Sequence, residues 1–165
     1  MAEHKASAKA GVRCLVVTIS DTRTLATDKS GARAAELLTA AGHGVTARQI
    51  IPDEPDQIRA LLQAGIDNPE VDAIITSGGT GLAPRDVTTE VVDALLTRRL
   101  DGFGELFRML SFEEIGSAAM LSRAVGGLAG STMIFALPGS TKAVELGIRR
   151  LIAPELSHIL GLISA

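Results

Sequence analysis

Apolar positions along the chain follow two alternating rhythms. The run Arg13-Cys14-Leu15-Val16-Val17-Thr18-Ile19-Ser20 is short, β-branched and nearly all apolar, the pattern of a strand buried on both faces, and the turn-prone Asp21-Thr22 follows it. From Lys29 to Ala41 the spacing changes: small or apolar residues recur at Ala34, Leu37, Leu38 and Ala41, and Gly42 and Gly44 end a predicted helix. Val45 to Ile51 reads as a second strand, and Pro52-Asp53-Glu54-Pro55 turns into a helical stretch carrying Ile58, Leu61, Leu62 and Ile66 on one face. A third strand, Val71 to Thr76, ends in Ser77-Gly78-Gly79-Thr80-Gly81, after which Val91, Val92, Leu95 and Leu96 predict a helix over Thr88 to Leu96. Phe103 to Leu121 is predicted helical in pieces. Thr132 to Leu137 is another apolar strand, running into Pro138-Gly139-Ser140. Lys142 to Ile163 is a last helical region, with Pro154 as a point of interruption. Strands alternating with helices, without repeats or linkers, indicate an α/β domain with a mostly parallel sheet between helical layers.

Composition narrows this picture. A chain of 165 residues has the size of one domain, expected over 11–165, and the core must come from Ala, Val, Leu, Ile and four Phe, because aromatics are 2% of the residues and Trp and Tyr are absent. Sixteen basic against 19 acidic residues give a net charge of −3 without a dense Lys/Arg cluster, which argues against a nucleic-acid partner. The single Cys14 heads an apolar run and reads as a buried reduced thiol, which fits the cytoplasm. Met1 to Ala10 has no apolar stretch of signal-peptide or membrane-span length and is expected to be a disordered tail. The apolar-rich stretches Phe103 to Leu121 and Leu146 to Ile163 carry more than a small domain buries internally, so self-association is expected.

In such sheets ligands bind beyond the carboxyl ends of the strands. Four strand ends carry informative residues: Ser20-Asp21, Pro52-Asp53-Glu54, Ser77 to Asp86, and Pro138-Gly139-Ser140-Thr141. Glycines in Ser77-Gly78-Gly79-Thr80-Gly81 let backbone N–H groups approach an anion, with the Thr80 hydroxyl beside them, though a glycine-rich strand exit also serves as a plain tight turn. No Gly-Lys-Ser/Thr closes the loop and Pro84 stands where a dinucleotide fingerprint has its third glycine, so both of those common motifs are excluded. Asp86 and Asp53 each read as a helix N-cap or turn former. Two acids at strand ends beside an anion loop also suit Mg²⁺, which is commonly held by one or two carboxylates plus substrate phosphates. Ser140, Thr141 and Lys142 offer a second anion-docking turn or, equally, a helix cap with a solvated lysine. His4, His43 and His158 have no metal-ligand spacing, and no Gly-x-Ser-x-Gly elbow is present, which excludes a recognisable zinc site or hydrolase triad.

The ordered set Thr18-Ile19-Ser20-Asp21-Thr22, Asp28-Lys29-Ser30-Gly31, Pro52-Asp53-Glu54, Ser77-Gly78-Gly79-Thr80-Gly81 and Pro84-Arg85-Asp86-Val87-Thr88 resembles the MogA/MoaB family of molybdenum-cofactor biosynthesis proteins. Gly102-Phe103-Gly104-Glu105, Leu121-Ser122-Arg123 and Leu137-Pro138-Gly139 extend the likeness over roughly Arg13 to Leu160. The resemblance implies a three-layer αβα fold, a trimer or hexamer, other molybdenum-cofactor proteins as possible partners, and adenylylation of molybdopterin by ATP and Mg²⁺ with release of pyrophosphate. A non-catalytic molybdopterin carrier or scaffold of the same pathway is the alternative. Carried onto this chain, the family's loop aspartates are Asp53 and Asp86, as catalytic and Mg²⁺-positioning residues. Ser20, Asp21, Gly78, Gly79, Thr80, Gly104, Glu105, Pro138, Gly139 and Ser140 would line the pocket. Asp101 replaces a proline common in the family, and Gly104 to Gly116 is closer to the MoaB branch than to MogA.

Overall fold

Parallel strands buried on both faces form the centre of the molecule, whose computed structural model describes residues 8–164. Strand β1 (Arg13–Ile19) is buried at every position after Arg13, and its neighbours are β2 (Gly44–Ile51) on one side and β3 (Ala73–Ser77) on the other, both parallel to it. Beyond β3 the sheet continues through β6 (Thr132–Leu137), β5 (Val125–Ala129) and β4 (Arg98–Arg99), in the order β2-β1-β3-β6-β5-β4. β6 is parallel to β3, while β5 and β4 run antiparallel at that edge.

Strand alternation divides the apolar residues between two cores. Cys14, Val16, Ala73, Ile75, Met133, Phe135 and Leu137 face α1 (Lys29–Ala40), α4 (Asp101–Ile115), α5 (Thr141–Gly147) and α6 (Ala153–Ser164). Leu15, Val17, Ile19, Ile74, Ile134 and Ala136 face α2 (Pro55–Asp67) and α3 (Thr88–Leu95). The result is the three-layer αβα architecture with a mostly parallel sheet. Three of the four phenylalanines meet in one core: Phe103 lies edge-on to Phe135, with ring centroids 5.0 Å apart, and stacks with Phe107 at 6.3 Å.

Three features depart from the sequence expectation. β4 and β5 were not anticipated, because β4 has two residues and the Val125-Gly126-Gly127-Leu128-Ala129 segment carries two glycines, which weaken any strand signal. Close backbone approach accounts for one of them: a Cβ on Gly127 would overlap the Arg98 carbonyl of β4. The last helical region does not break at Pro154 but widens ahead of it, into a π-turn over Ile148–Ile152, and α6 resumes at Ala153. Pro154 has no N–H to offer the preceding turn, and the wider turn absorbs the misfit. Of the tail expected over Met1 to Ala10, residues 1–7 lie outside the described residues. At its end the chain is tied down: the Lys9 amide donates to the Ser157 carbonyl at 3.0 Å, and its ammonium lies 2.6 Å from Asp72.

Candidate active site at the strand switch point

Because the chain crosses from β1 to β2 on one side and reaches β3 on the other, the sheet has its switch point at the carboxyl end of β1, where a crevice forms. Ser20-Asp21, Pro52 to Glu54, Ser77 to Asp86 and Pro138 to Ser140 all leave strands at this end. They meet at Gly78. Its φ is +102°, its amide donates to the Leu137 carbonyl at 3.0 Å, and a Cβ there would overlap the Ile19 carbonyl. Only glycine lets three strand ends approach this closely.

The rest of the glycine loop runs beside the two aspartates. A Cβ on Gly79, at φ +71°, would overlap Thr88 Oγ1 and stand 3.4 Å from Asp53 Oδ1. A Cβ on Gly81 would lie 2.7 Å from Asp86 Oδ2. The N-cap reading of the two acids is corrected here. Val87 occupies the cap position of α3 without any side-chain bond, and Asp86 instead accepts from the Ala83 amide at 2.8 Å, closing its own loop. Glu54, not Asp53, precedes α2, and among the described residues the Asp53 carboxylate has no side-chain hydrogen-bond partner, only the Asp21 backbone N–H nearby.

Asp21 joins the loops together. Its carboxylate accepts the Asp53 amide at 3.1 Å and, in bidentate fashion, Arg85 Nε at 2.8 Å and Nη2 at 3.0 Å, while the same Nη2 reaches Glu54 Oε1 at 2.9 Å. The Arg85 bonds, then the Asp53 amide, hold the Asp21 carboxyl below the usual carboxylate range. Asp53 is shifted the other way: partial burial and then the nearby Asp21 and Asp86 charges push its carboxyl up, which Arg85 only partly offsets. A carboxylate with no side-chain partner, beside two other acids, is suited to a cation. Among the described residues no three His, Cys, Asp or Glu side chains form a ready metal cage, so a cation here would need ligands from water or substrate in addition.

Two hollows open beside these loops. One, of about 320 Å³, is lined by Gly79, Thr80, Gly81, Asp86, Pro138, Gly139 and Ser140 and is walled by Phe107, Ser111, Ile115, Ala119 and Ser122. The other, of about 510 Å³, is bordered by Ser20, Asp21, Arg23, Arg48 and Pro52. Ser20 Oγ accepts from the Thr22 and Arg23 amides, shaping the turn, and Ser140 caps α5 through the Ala143 amide at 3.2 Å while still facing the first hollow. Gly104 and Glu105 are placed elsewhere. Gly104 lets α4 pack against the Ala124 carbonyl, which a Cβ would approach to 2.7 Å, and the exposed Glu105 borders neither hollow of this single chain.

Local sequence gave no direct sign of the cations that brace the site. Arg123 donates to the Gly81 carbonyl at 2.9 Å and to the Asp86 carbonyl at 2.9 Å, and pairs with Glu90, pinning both ends of the loop from 42 and 37 residues away. Arg23 similarly ties the β1 exit to the Gly139 carbonyl at 3.1 Å. The ordered motifs contained both Arg85 and Arg123, but only tertiary contact gives them work. Buried Asp28 is a further support: it caps α1 through the Gly31 amide at 3.0 Å and accepts Thr18 and Arg48. These bonds outweigh the effect of burial and keep its carboxyl below its ordinary range.

Residues 15–158 match the family model described as a probable molybdopterin binding domain. The chain belongs to the molybdenum-cofactor biosynthesis family. Molybdenum cofactor biosynthesis protein B of Bacillus cereus is 54% identical over 158 residues, covering 95% of this chain and 94% of that protein. A crystal structure of a molybdenum cofactor biosynthesis protein B superposes with a TM-score of 0.91 at 52% identity, over 93% of this chain and 96% of that one. The tungsten cofactor synthesizing protein MoaB of Pyrococcus furiosus gives 0.86 at 33% identity, over 96% and 100% of the two chains. The role in molybdenum-cofactor biosynthesis and the MoaB-like branch expected from Gly104 to Gly116 therefore stand on full-length likeness.

Proposed function

We propose that this chain adenylylates molybdopterin with ATP and Mg²⁺, releasing pyrophosphate. The observation that carries the reading is the placement of Asp53 and Asp86 beside the glycine loop, with the Asp53 carboxylate lacking a side-chain partner and crowded by negative charge. Asp53, without a side-chain partner, and Asp86, whose Oδ1 accepts no hydrogen bond among the described residues, suit an ion held by one or two carboxylates and completed by phosphates. Bound there, Mg²⁺ would neutralise charge on the reacting phosphates.

The remaining work falls to the chain. A terminal phosphate oxygen of molybdopterin forms a bond to the α-phosphorus of ATP, and the bond from that phosphorus to the bridging oxygen breaks, with pyrophosphate leaving. The nucleophile is already ionised at neutral pH, so no protein base is required, and catalysis is positioning plus charge stabilisation. Gly79 and Gly81 line the hollow with backbone for phosphate oxygens to approach, Thr80 and Ser140 bring hydroxyls to it, and Phe107 and Ile115 give the pterin ring an apolar wall. The test is incubation with molybdopterin, ATP and Mg²⁺ followed by chromatography for adenylylated molybdopterin. Product is expected from wild type and not from Asp53→Ala or Asp86→Ala. Binding of molybdopterin without product would favour the carrier alternative.

The reading includes a trimer or hexamer in the cytoplasm. Exposed apolar side chains collect on α4 and the turn after it, at Leu106, Met109, Phe112, Ile115, Met120 and Leu121, which favours a subunit contact there. Light scattering of wild type and Phe112→Asp tests it, and a monomeric wild type at micromolar concentration would remove it. No helix among the described residues is long and apolar enough to cross a membrane.

A further inference from the structure

Arg85 stands among four carboxylates, yet it is not buried: its side chain is 56% exposed and it reaches Asp21 and Glu54 from the loop that also carries Asp86. Its charge also bears on Asp53, where it opposes the repulsion from Asp21 and Asp86. A surface guanidinium holding carboxylates in water gains little from each pair and can exchange partners readily. The fork that grips Asp21 in bidentate fashion has the geometry required by two phosphate oxygens.

We propose, on the reading of the site as a Mg²⁺ and nucleotide site, that Arg85 is a displaceable counter-ion that serves as a phosphate-positioning residue. In the structure it neutralises Asp21 and Glu54 and links the three loops. A cation entering beside Asp53 and Asp86 repels the guanidinium and draws on the same negative potential, so Arg85 and the metal compete. A polyphosphate resolves the competition, because it accepts the fork that Asp21 gives up. Arg85 therefore makes metal and polyphosphate binding mutually dependent, disfavouring metal alone and favouring the pair.

This assigns opposite signs to two measurements on the folded full-length chain. Mn²⁺ affinity without phosphate is read from the electron paramagnetic resonance signal of the free ion, and inorganic triphosphate affinity at saturating Mn²⁺ is read by calorimetry. Arg85→Gln should bind Mn²⁺ alone about threefold or more tighter and triphosphate about tenfold weaker, while Arg85→Lys keeps the charge but loses the fork and falls between for triphosphate. Thermal melting of both variants separates these effects from loss of the fold, since Arg85→Lys retains a cation for the carboxylates. If Arg85→Gln weakens both ligands together, Arg85 is a structural strap and the proposal is overturned. If it changes neither, the proposal is overturned equally. A wild type that binds neither Mn²⁺ nor triphosphate removes the underlying metal and nucleotide reading and the proposal with it, a pattern distinct from either result in the variants.

Discussion

Gly79 and Gly42 form a matched pair for testing whether the glycine loop is pressed against its neighbours. Both have left-handed backbones, at φ +71° and +88°, but a Cβ on Gly42 meets nothing within 4 Å, whereas one on Gly79 overlaps Thr88 Oγ1 and stands 3.4 Å from Asp53 Oδ1. Gly42→Ala therefore isolates the cost of a left-handed alanine, about 1–2 kcal/mol. Gly79→Ala bears a similar backbone cost plus that of forcing a side chain into a packed site, about 1–3 kcal/mol more. Thr88 has little freedom to yield: it is fully buried, and its amide is bonded to the Gly79 carbonyl at 3.0 Å. The net expectation is about 2–5 kcal/mol for Gly79→Ala.

Denaturant unfolding at one fixed protein concentration measures both changes, the fixed concentration being needed if subunits associate. A second readout, Mn²⁺ binding, should separate the variants further, because the displaced Thr88 and Asp53 lie at the proposed cation locus while Gly42 follows α1 at the other end of the sheet. Equal destabilisation of the two variants would refute the close contact between the loop and Thr88. Equal loss of Mn²⁺ binding would refute the placement of the cation locus beside Gly79.

Asp53→Asn should abolish turnover without lowering the melting temperature at neutral pH. The folded-state carboxyl is raised, so ionisation disfavours the folded chain once the pH rises past the unfolded carboxyl value, about 4, and the amide relieves that penalty. Melting curves of the two proteins should converge below pH 4. Asp72 behaves oppositely: burial opposes its ionisation, but hydrogen bonds from Arg13 and Lys9 outweigh this and hold its carboxyl far below the usual range. Its stabilisation is present above the unfolded value of about 4 and is lost as pH falls through the folded value, and Asp72→Asn should destabilise by about 3 kcal/mol at pH 7 in denaturant unfolding. Cys14 is fully buried and its thiol is pushed up to about 12 by burial and the Asp72 charge, so a thiol reagent at pH 8 should label it only as fast as the chain unfolds. Rapid labelling of the native protein would contradict that burial.

The parallel half of the sheet was legible because its strands are buried on both faces. Arg13 to Ser20, Val71 to Thr76 and Thr132 to Leu137 are mostly apolar, β-branched runs whose ends need no long-range information. The antiparallel edge was not legible. Val125 to Ala129 owes its strand conformation to pairing with β6, a property of Phe135 and Ile134 as much as of its own Gly126 and Gly127. Similarly, the N-cap reading of Asp53 and Asp86 weighed each acid against its own helix. The observed contacts depend on Asp21, 32 residues before Asp53, and on the curl of the loop back to Ala83.

The same distinction accounts for what was and was not readable in the site. Glycines are visible because a backbone need is met by a residue type, and Gly78, Gly79 and Gly139 each sit where a side chain would strike or crowd a neighbouring loop. Arginines are not visible in this way, since Arg23, Arg85 and Arg123 look alike in sequence and differ only in what they reach. Arg123 braces the loop through backbone carbonyls and exposes little to a ligand, whereas Arg85 holds carboxylates at the surface and can let them go. Three strand-end loops that each lack a rigid connection to the next must be held by bonds between them. On the proposed exchange, a bond that has to release to a phosphate is better made between exposed charges than between buried ones, because exposed pairs exchange at little cost. That requirement places the exchangeable cation at the mouth, on Arg85, and the permanent one behind the loop, on Arg123.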